Sequence, residues 1–406
     1  MKPVKLGPFL GMNNRRPRNQ LGIKEGAFLA DAVNVDFMAG GQLHTRAGCV
    51  QVLAMDRTHS MWQNYFVAGD TLYRMAGAAT APTTNAVLAG LAPSVRMSYT
   101  EHGDGLYCTN GQNVWRIDGS TGVEAGIAPP FNEPLIIDAA GGALPRGYYQ
   151  FSVAHVDVTG AVSGASAPVQ FLVTVGGVTL LNIPQRAGYT TRIYMSSTNG
   201  TELYRHSDVT SGTQDIRTLS EQGESIYSMH KTRIPAGGII RSHKGRLLVA
   251  SGSLLYYTDP WSMYHNPATD FIPLPGDISI VEPCDGGVYV VADKTYWLGG
   301  DVAGAETILS ERLPYGACFG TSGQLGDNKG AFWMSTRGLV VGAPDGTAKN
   351  VQEENIAVTP ARYGATMFRE EDGSKQLVSS TYHPTQTVTA TKTFMDAEVI
   401  NQTAIL

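Results

Sequence analysis

The stretch Tyr65-Phe66-Val67-Ala68-Gly69-Asp70-Thr71-Leu72-Tyr73-Arg74 reads as a strand, a tight turn at Gly69-Asp70 and a return strand. The figure recurs at Leu106-Tyr107-Cys108-Thr109-Asn110-Gly111-Gln112-Asn113-Val114-Trp115-Arg116, 42 residues on when Asn110 is laid on Ala68. Further copies are Leu247-Leu248-Val249-Ala250-Ser251-Gly252-Ser253-Leu254-Leu255-Tyr256, Val288-Tyr289-Val290-Val291-Ala292-Asp293-Lys294-Thr295-Tyr296-Trp297 and Ala331-Phe332-Trp333-Met334-Ser335-Thr336-Arg337-Gly338-Leu339-Val340. With Ser251, Ala292 and Ser335 set equivalent, the steps are 41 and 43 residues. Most copies open on glycine (Gly105, Gly245, Gly287, Gly330) and turn on small or polar residues that accept a positive φ. One such sheet leaves both faces apolar, so several must stack around an axis to cover them. A step of about 40–45 residues suits one four-stranded blade, and the expected fold is all-β: a β-propeller of five or six blades.

Between the second and third copies lie 141 residues, 99 more than one step. In the excess, Tyr149, Phe151 and Val153 alternate with Gln150, Ser152 and Ala154. Val169 to Val175 gives a second strand and Val178 to Ile183 a third. Arg192-Ile193-Tyr194-Met195 meets Glu202-Leu203-Tyr204-Arg205 across Thr198-Asn199-Gly200-Thr201, and Asn-Gly is the strongest short hairpin signal. This spacing predicts an inserted β-sandwich of the immunoglobulin or fibronectin type. The expected division is an N-terminal arm over 1–29, propeller over 30–132, the sandwich over 133–234, propeller again over 235–384, and a tail over 385–406. Within 30–53, Asn34-Val35-Asp36-Phe37, the turn Gly40-Gly41 and the run to Cys49-Val50-Gln51-Val52 suit a hairpin. Lys375-Gln376-Leu377-Val378 reads as a weaker last copy, and strands from the two ends are expected to share a blade and close the ring.

Apolar residues make up 42% and charged residues 16%, with 47 glycines, which favours short strands and tight turns over long helices. The net charge of −5 and the absence of a strong basic cluster beyond Arg15, Arg16 and Arg18 argue against tight nucleic-acid gripping. Cys49, Cys108, Cys284 and Cys318 stand far apart, with no CxxC pair, and read as reduced structural thiols. No apolar stretch approaches the roughly 20 residues of a membrane span, which predicts a soluble, cytosolic product without membrane insertion.

Little in the chain points to catalysis. Asp345-Gly346 sits where a sialidase-type box would need Ser and Trp and has neither, so it reads as a plain turn. Glu370-Glu371-Asp372-Gly373 lacks calcium-loop spacing and reads as a solvated hairpin tip. His44, His59, His102, His155, His206, His230, His243, His265 and His383 are dispersed singles without metal-ligand spacing. No nucleophile elbow, Walker loop or dinucleotide fingerprint is found. The expectation is no enzyme, no cofactor and no metal. Arg15, Arg16 and Arg18 remain the candidate contact to a partner, with a solvated arm as the plainer reading.

Gly11-Met12-Asn13-Asn14, then Asn34-Val35-Asp36, then Gly41-Gln42-Leu43-His44-Thr45-Arg46-Ala47-Gly48 resemble the opening of tail nozzle (tail stabilisation) proteins of short-tailed bacteriophages. Arg146-Gly147-Tyr148-Tyr149-Gln150-Phe151-Ser152-Val153, the turn from Gly160 to Ser166 and Thr191-Arg192-Ile193-Tyr194-Met195-Ser196 are similar to the sandwich segment in that family, and the resemblance spans most of residues 10–345. It implies a structural virion protein, made in the host cytoplasm and carried in the tail. A homohexameric ring below the portal and adaptor would close the tail channel, retain packaged DNA and conduct it on ejection. The implied partners are other copies of the chain, the adaptor (head-to-tail connector) and tail fibres or tailspikes, with DNA passing a neutral to acidic lumen without specific binding. The alternatives are a receptor- or glycan-binding virion protein, with Tyr148, Tyr149, Tyr189, Tyr194 and Tyr204 as aromatic platforms, and a polysaccharide depolymerase.

Overall fold

A strand with both faces buried loses the polar half of its alternation, and the repeat units are written that way: Gly287–Val291 and Ala331–Ser335 are buried at every residue. The computed structural model describes residues 8–33, 35–38, 41–45, 50–103, 105–219, 223–305, 307–326, 330–371, 374–382 and 402–405. Among them run five four-stranded antiparallel sheets. The first comprises Thr58–Trp62, Tyr65–Ala68, Thr71–Ala78 and Ala81–Leu88, and the second Ser98–His102, Gly105–Thr109, Val114–Asp118 and Thr121–Glu124. The third comprises Ile239–His243, Arg246–Ser251, Leu254–Tyr257 and Phe271–Pro273; the fourth Ile280–Cys284, Gly287–Val291, Thr295–Gly299 and Leu309–Leu313. The fifth comprises Gly323–Gln324, Ala331–Ser335, Gly338–Gly342 and Ala348–Asn350. In all five the repeat unit supplies the second and third strands. A sixth sheet has three strands, Tyr363–Glu371, Ser374–Tyr382 and Gln402–Ile405.

The cores show how the sheets stand to one another. Leu106 and Cys108 pack with Val67 and Leu72 of the first sheet, whereas Tyr107, between them in sequence, packs with Ile240 and Val249 of the third. Leu248 and Ala250 join Val288 and Val290; Tyr289 and Val291 join Trp333 and Val340; Phe332 and Met334 join Leu377 of the sixth sheet. Odd and even residues of one strand thus serve different neighbours, which is radial stacking, and the chain is all-β and propeller-like. Fit at these joints is close: a Cβ on Gly342 would stand 2.5 Å from the Tyr289 ring.

The insert lies between the second and third sheets. Leu135–Asp138, Val178–Leu181 and Gln214–Ile216 form one sheet; Val162–Ala165, Gly147–Val156, Thr190–Ser196 and Leu203–Val209, with Val169–Val173 on Gly147–Val156, form another. The two share one core, with Ile136, Leu180 and Ile216 against Tyr149, Phe151, Ile193 and Met195. Where the chain leaves the insert, Thr232–Arg233 pairs with Tyr264–His265 from the connection inside the third sheet.

Several details differ from expectation. Residues 8–29 carry a small sheet, Phe9–Met12 parallel to Gly26–Leu29 with Gly22–Ile23 beyond, because backbone pairing there satisfies an otherwise bare segment. Val162–Ala165 is a strand where the sequence suggests a turn, its alternation masked by burial on both sides. Val50 and Val52 stay exposed and outside any strand, while Val35–Met38 and Gln42–Thr45 do form the hairpin. The stretch expected as tail returns a strand, Gln402–Ile405, to the sixth sheet, which lies beside Val35–Met38. Asn34, Gly40, Arg46 to Cys49, the Asp372-Gly373 tip, His383 and residues 384–401 lie outside the described residues.

Trp333 is fully buried between the fourth and fifth sheets, its ring 5.1 Å from that of Tyr289. Trp333→Ala is expected to lower unfolding free energy by about 3–5 kcal/mol, read by urea denaturation; a loss within the error of the wild-type curve would mean that the fourth and fifth sheets do not share this core.

Candidate functional site

At the axis the first strands of neighbouring sheets meet through polar groups. Ser98 Oγ accepts from the Ile240 amide at 3.1 Å and from Arg241 Nη1 at 3.0 Å. Arg241 also donates through Nε and Nη2 to Glu282 Oε2, at 3.3 and 3.2 Å, and Glu282 is buried. This pair neutralises itself and staples the second, third and fourth sheets. Arg96, just before Ser98, reaches across to the carbonyls of Gly364 at 2.7 Å and Gly320 at 2.8 Å, with its guanidinium over the Phe319 ring. Among the described residues no apolar cluster joins the sixth sheet to the first; Arg96, on the connection between the first and second sheets, ties that connection to the sixth sheet and to the connection before the fifth.

A second polar clasp holds the N-terminal sheet. Asn13 is fully buried and donates from Nδ2 to Asn355 Oδ1 at 2.9 Å. Asn14 trades two bonds with Ala357: its Nδ2 donates to the carbonyl at 3.1 Å and its Oδ1 accepts from the amide at 2.6 Å. Arg15, Arg16 and Arg18 follow directly and are exposed; the Arg15 and Arg16 amides donate to Asn13 Oδ1, and the Arg16 guanidinium lies over the Phe28 ring. Among the described residues none makes an ion pair with these three arginines. They form an open basic edge, and the residues that anchor it are the two asparagines, whose side-chain roles the sequence does not announce. Arg96 is equally hidden; its one signal is that it ends an uncharged run from Met75 to Val95.

The remaining candidates do not converge. Among the described residues no three His, Cys, Asp or Glu side chains stand together as metal ligands. Ala343 to Thr347 is a turn, with the Gly346 amide donating to the Ala343 carbonyl at 3.1 Å. Tyr149 and Tyr194 lie in the insert's cores and cannot serve as platforms; Tyr148 is half exposed, and Tyr189 and Tyr204 are partly covered. A more open platform is Trp261, 75% exposed, which lies over Gly245 and tilts against His102 with ring centroids 5.8 Å apart. A hollow of about 150 Å³ in the insert is lined by Met195, Tyr204, Arg205 and His206.

Burial sets the titration of the interior. The Cys108, Cys284 and Cys318 thiols are free and buried, and burial pushes each up to about 12. Burial holds His102, His243 and His265 below the usual imidazole value, and the same effect, aided by Arg186, lowers His155.

No family model matches the chain, and no curated protein sequence matches it. Solved structures with some likeness include BBS1N in complex with ARL6DN, 11% identical over 81% of this chain and 90% of that one, with a TM-score of 0.34. Others are YCF48 bound to D1 peptide, 13% identical over 78% and 86% with a TM-score of 0.29, and the Neurospora crassa Pan2 WD40 domain, 8% identical over 81% and 85% with a TM-score of 0.32. The radial order of the sheets rests on their shared cores rather than on these likenesses.

Arg96→Met is expected to cost about 1–3 kcal/mol and to speed amide hydrogen exchange in Tyr363–Tyr382 relative to the fourth sheet; uniform exchange in the variant would remove its role in tying down the sixth sheet. The histidines with lowered native values are neutral when folded, so their stabilisation is complete above the unfolded value of about 6.5 and is lost as pH falls below it. The melting temperature should therefore drop between pH 7 and pH 5, and a flat profile there would contradict the assignment.

Proposed function

We propose that this chain is a structural virion protein of a phage tail, forming a nozzle ring below the portal and adaptor that closes the channel, retains packaged DNA and conducts it on ejection. The observation that carries the reading is the distribution of exposed apolar side chains on a body whose joints are otherwise tightly packed. Phe131 is 99% exposed, and Val33, Val158, Ile308 and Met61 stand in water on separate parts of the surface. Such side chains suit a protein that is completed by neighbours. The opening motifs Gly11 to Asn14 and Gly41 to Gly48 give the resemblance to nozzle proteins.

The axis bears on how DNA would pass. Within one copy, Ser98 bonds to Ile240 between neighbouring first strands, and Arg96 reaches the Gly320 and Gly364 carbonyls. On the nozzle reading the DNA lumen lies between the copies of a homohexamer, and a chain of net charge −5 would hold a polyanion weakly. On this reading the five four-stranded sheets and the sixth are propeller blades. The insert is an immunoglobulin-like sandwich: Gly147–Val156, Thr190–Ser196 and Leu203–Val209 follow the C, F, G order, and Leu135–Asp138 beside Val178–Leu181 the B, E order. Arg15, Arg16 and Arg18 are the proposed contact to the adaptor or a neighbouring copy.

Trp261 favours a second reading, in which the chain is a receptor- or glycan-binding virion protein, since a held and exposed indole is a common sugar platform. Mass measurement of the purified chain with and without its adaptor decides between them. A ring assembled on the adaptor is expected. A chain that stays monomeric with adaptor present, yet binds host glycan in a manner lost in Trp261→Ala, would establish the second reading instead.

A further inference from the structure

The hairpin of Thr71–Ala78 and Ala81–Leu88 outgrows its sheet. Its partner strand Tyr65–Ala68 ends at the Tyr65 to Arg74 pair, and the Asn64 carbonyl takes the Met75 amide at 2.7 Å. Beyond that point the two strands pair only with each other, Met75 with Thr84 out to Ala78 with Ala81. Residues 76–81 are all exposed, and no charge occurs from Met75 to Val95. A two-stranded ribbon alone in water is marginal. Exposed edges are normally guarded by charge, bulges or proline, and here Pro82 alone serves near the tip. The ribbon is therefore an unfinished element: small, uncharged and projecting.

The chain also offers a surface with the matching deficit. Leu135–Asp138 is the edge strand of its sheet, with Leu135 54% and Ile137 43% exposed on the face away from the sandwich core. Leu181 lies across from Leu135 in the ladder, and Phe131 stands free just upstream. Between Glu133 and Asp138 the strand carries no charge. A charged partner would lose hydration against either surface without gaining a counter-charge, whereas an uncharged ribbon on an uncharged strip has no ionic hydration to lose.

We propose that the Met75–Asn85 ribbon of one copy seats on the Leu135 and Ile137 strip of a second copy of this chain, with Phe131 at its rim. The two patches differ, so the contact is heterologous, the type of contact that builds a ring where its rotation closes. The inference rests on the ring reading above and assigns that ring its contact.

Cysteines placed by Ala78→Cys in one preparation and Ile137→Cys in another, both in Cys49→Ser full-length chain, test the contact directly. On mixing and oxidation, the disulfide-linked pair is expected to form several-fold faster than in a control mixture of Ala78→Cys with Arg312→Cys, an exposed site on the fourth sheet. Equal rates overturn the proposal. The double variant Ala78→Lys, Ala81→Lys separates the two claims, because both positions are exposed and the body should fold unchanged. Rings that form with wild-type chain on the adaptor and fail with this variant support the contact. Rings that form equally with both overturn the contact and leave the ring reading standing, whereas wild-type chain that never assembles sinks the ring reading, with the cross-linking rates still judging the contact.

Discussion

Every joint between successive sheets depends on one geometric fact: a β-strand sends alternate side chains to opposite sides, so a strand at the middle of a sheet can belong to two cores at once. Val288 and Val290 face the third sheet while Tyr289 and Val291 face the fifth. Neither core is complete without the next sheet along, which makes each sheet unstable alone and the series stable together. The same fact forces small residues into particular places. Gly342 lies under the Tyr289 ring, whose hydroxyl donates to the carbonyls of Ala343 and Thr347 at 2.6 and 2.9 Å, so ring and turn are fixed as one unit.

The insert follows a different rule. Among the described residues its main core draws only on positions between Ile136 and Ile216 and shares none of them with the cores of the radial joints. Its C-terminal end is tied to the body by polar contacts: Glu124 to Arg233 at 2.8 Å and Lys231 to Asp259 at 2.8 Å. Exposed ion pairs of this kind orient more than they stabilise. An independent core joined by orienting contacts is what permits about a hundred residues to sit between two sheets without disturbing either.

The parts legible in sequence are those where physics repeats itself. Leu247 to Tyr256 and Val288 to Trp297 are recognisable as copies because burial on both faces demands an unbroken apolar run and the turn demands small residues. First and fourth strands are not legible: Ser98–His102 and Ile239–His243 carry Ser98, Arg241 and other polar residues toward the axis, and Thr121–Glu124 lies half in water. The N-terminal sheet reads as an arm because its pairing is backbone to backbone and its anchor, Asn13 with Asn14, spans more than three hundred residues to Asn355 and Ala357. Arg96 likewise meets carbonyls far along the chain, and a carbonyl has no signature in sequence. Of the candidate site, the basic trio is visible and what holds it in place is not.

The three buried thiols bear on durability. Cys108, Cys284 and Cys318 each sit in a different joint, and burial keeps them protonated at any physiological pH, so they lack the thiolate that oxidants attack. These three joints are therefore held by packing alone, and a change of redox conditions around the protein leaves their sulfurs as they are.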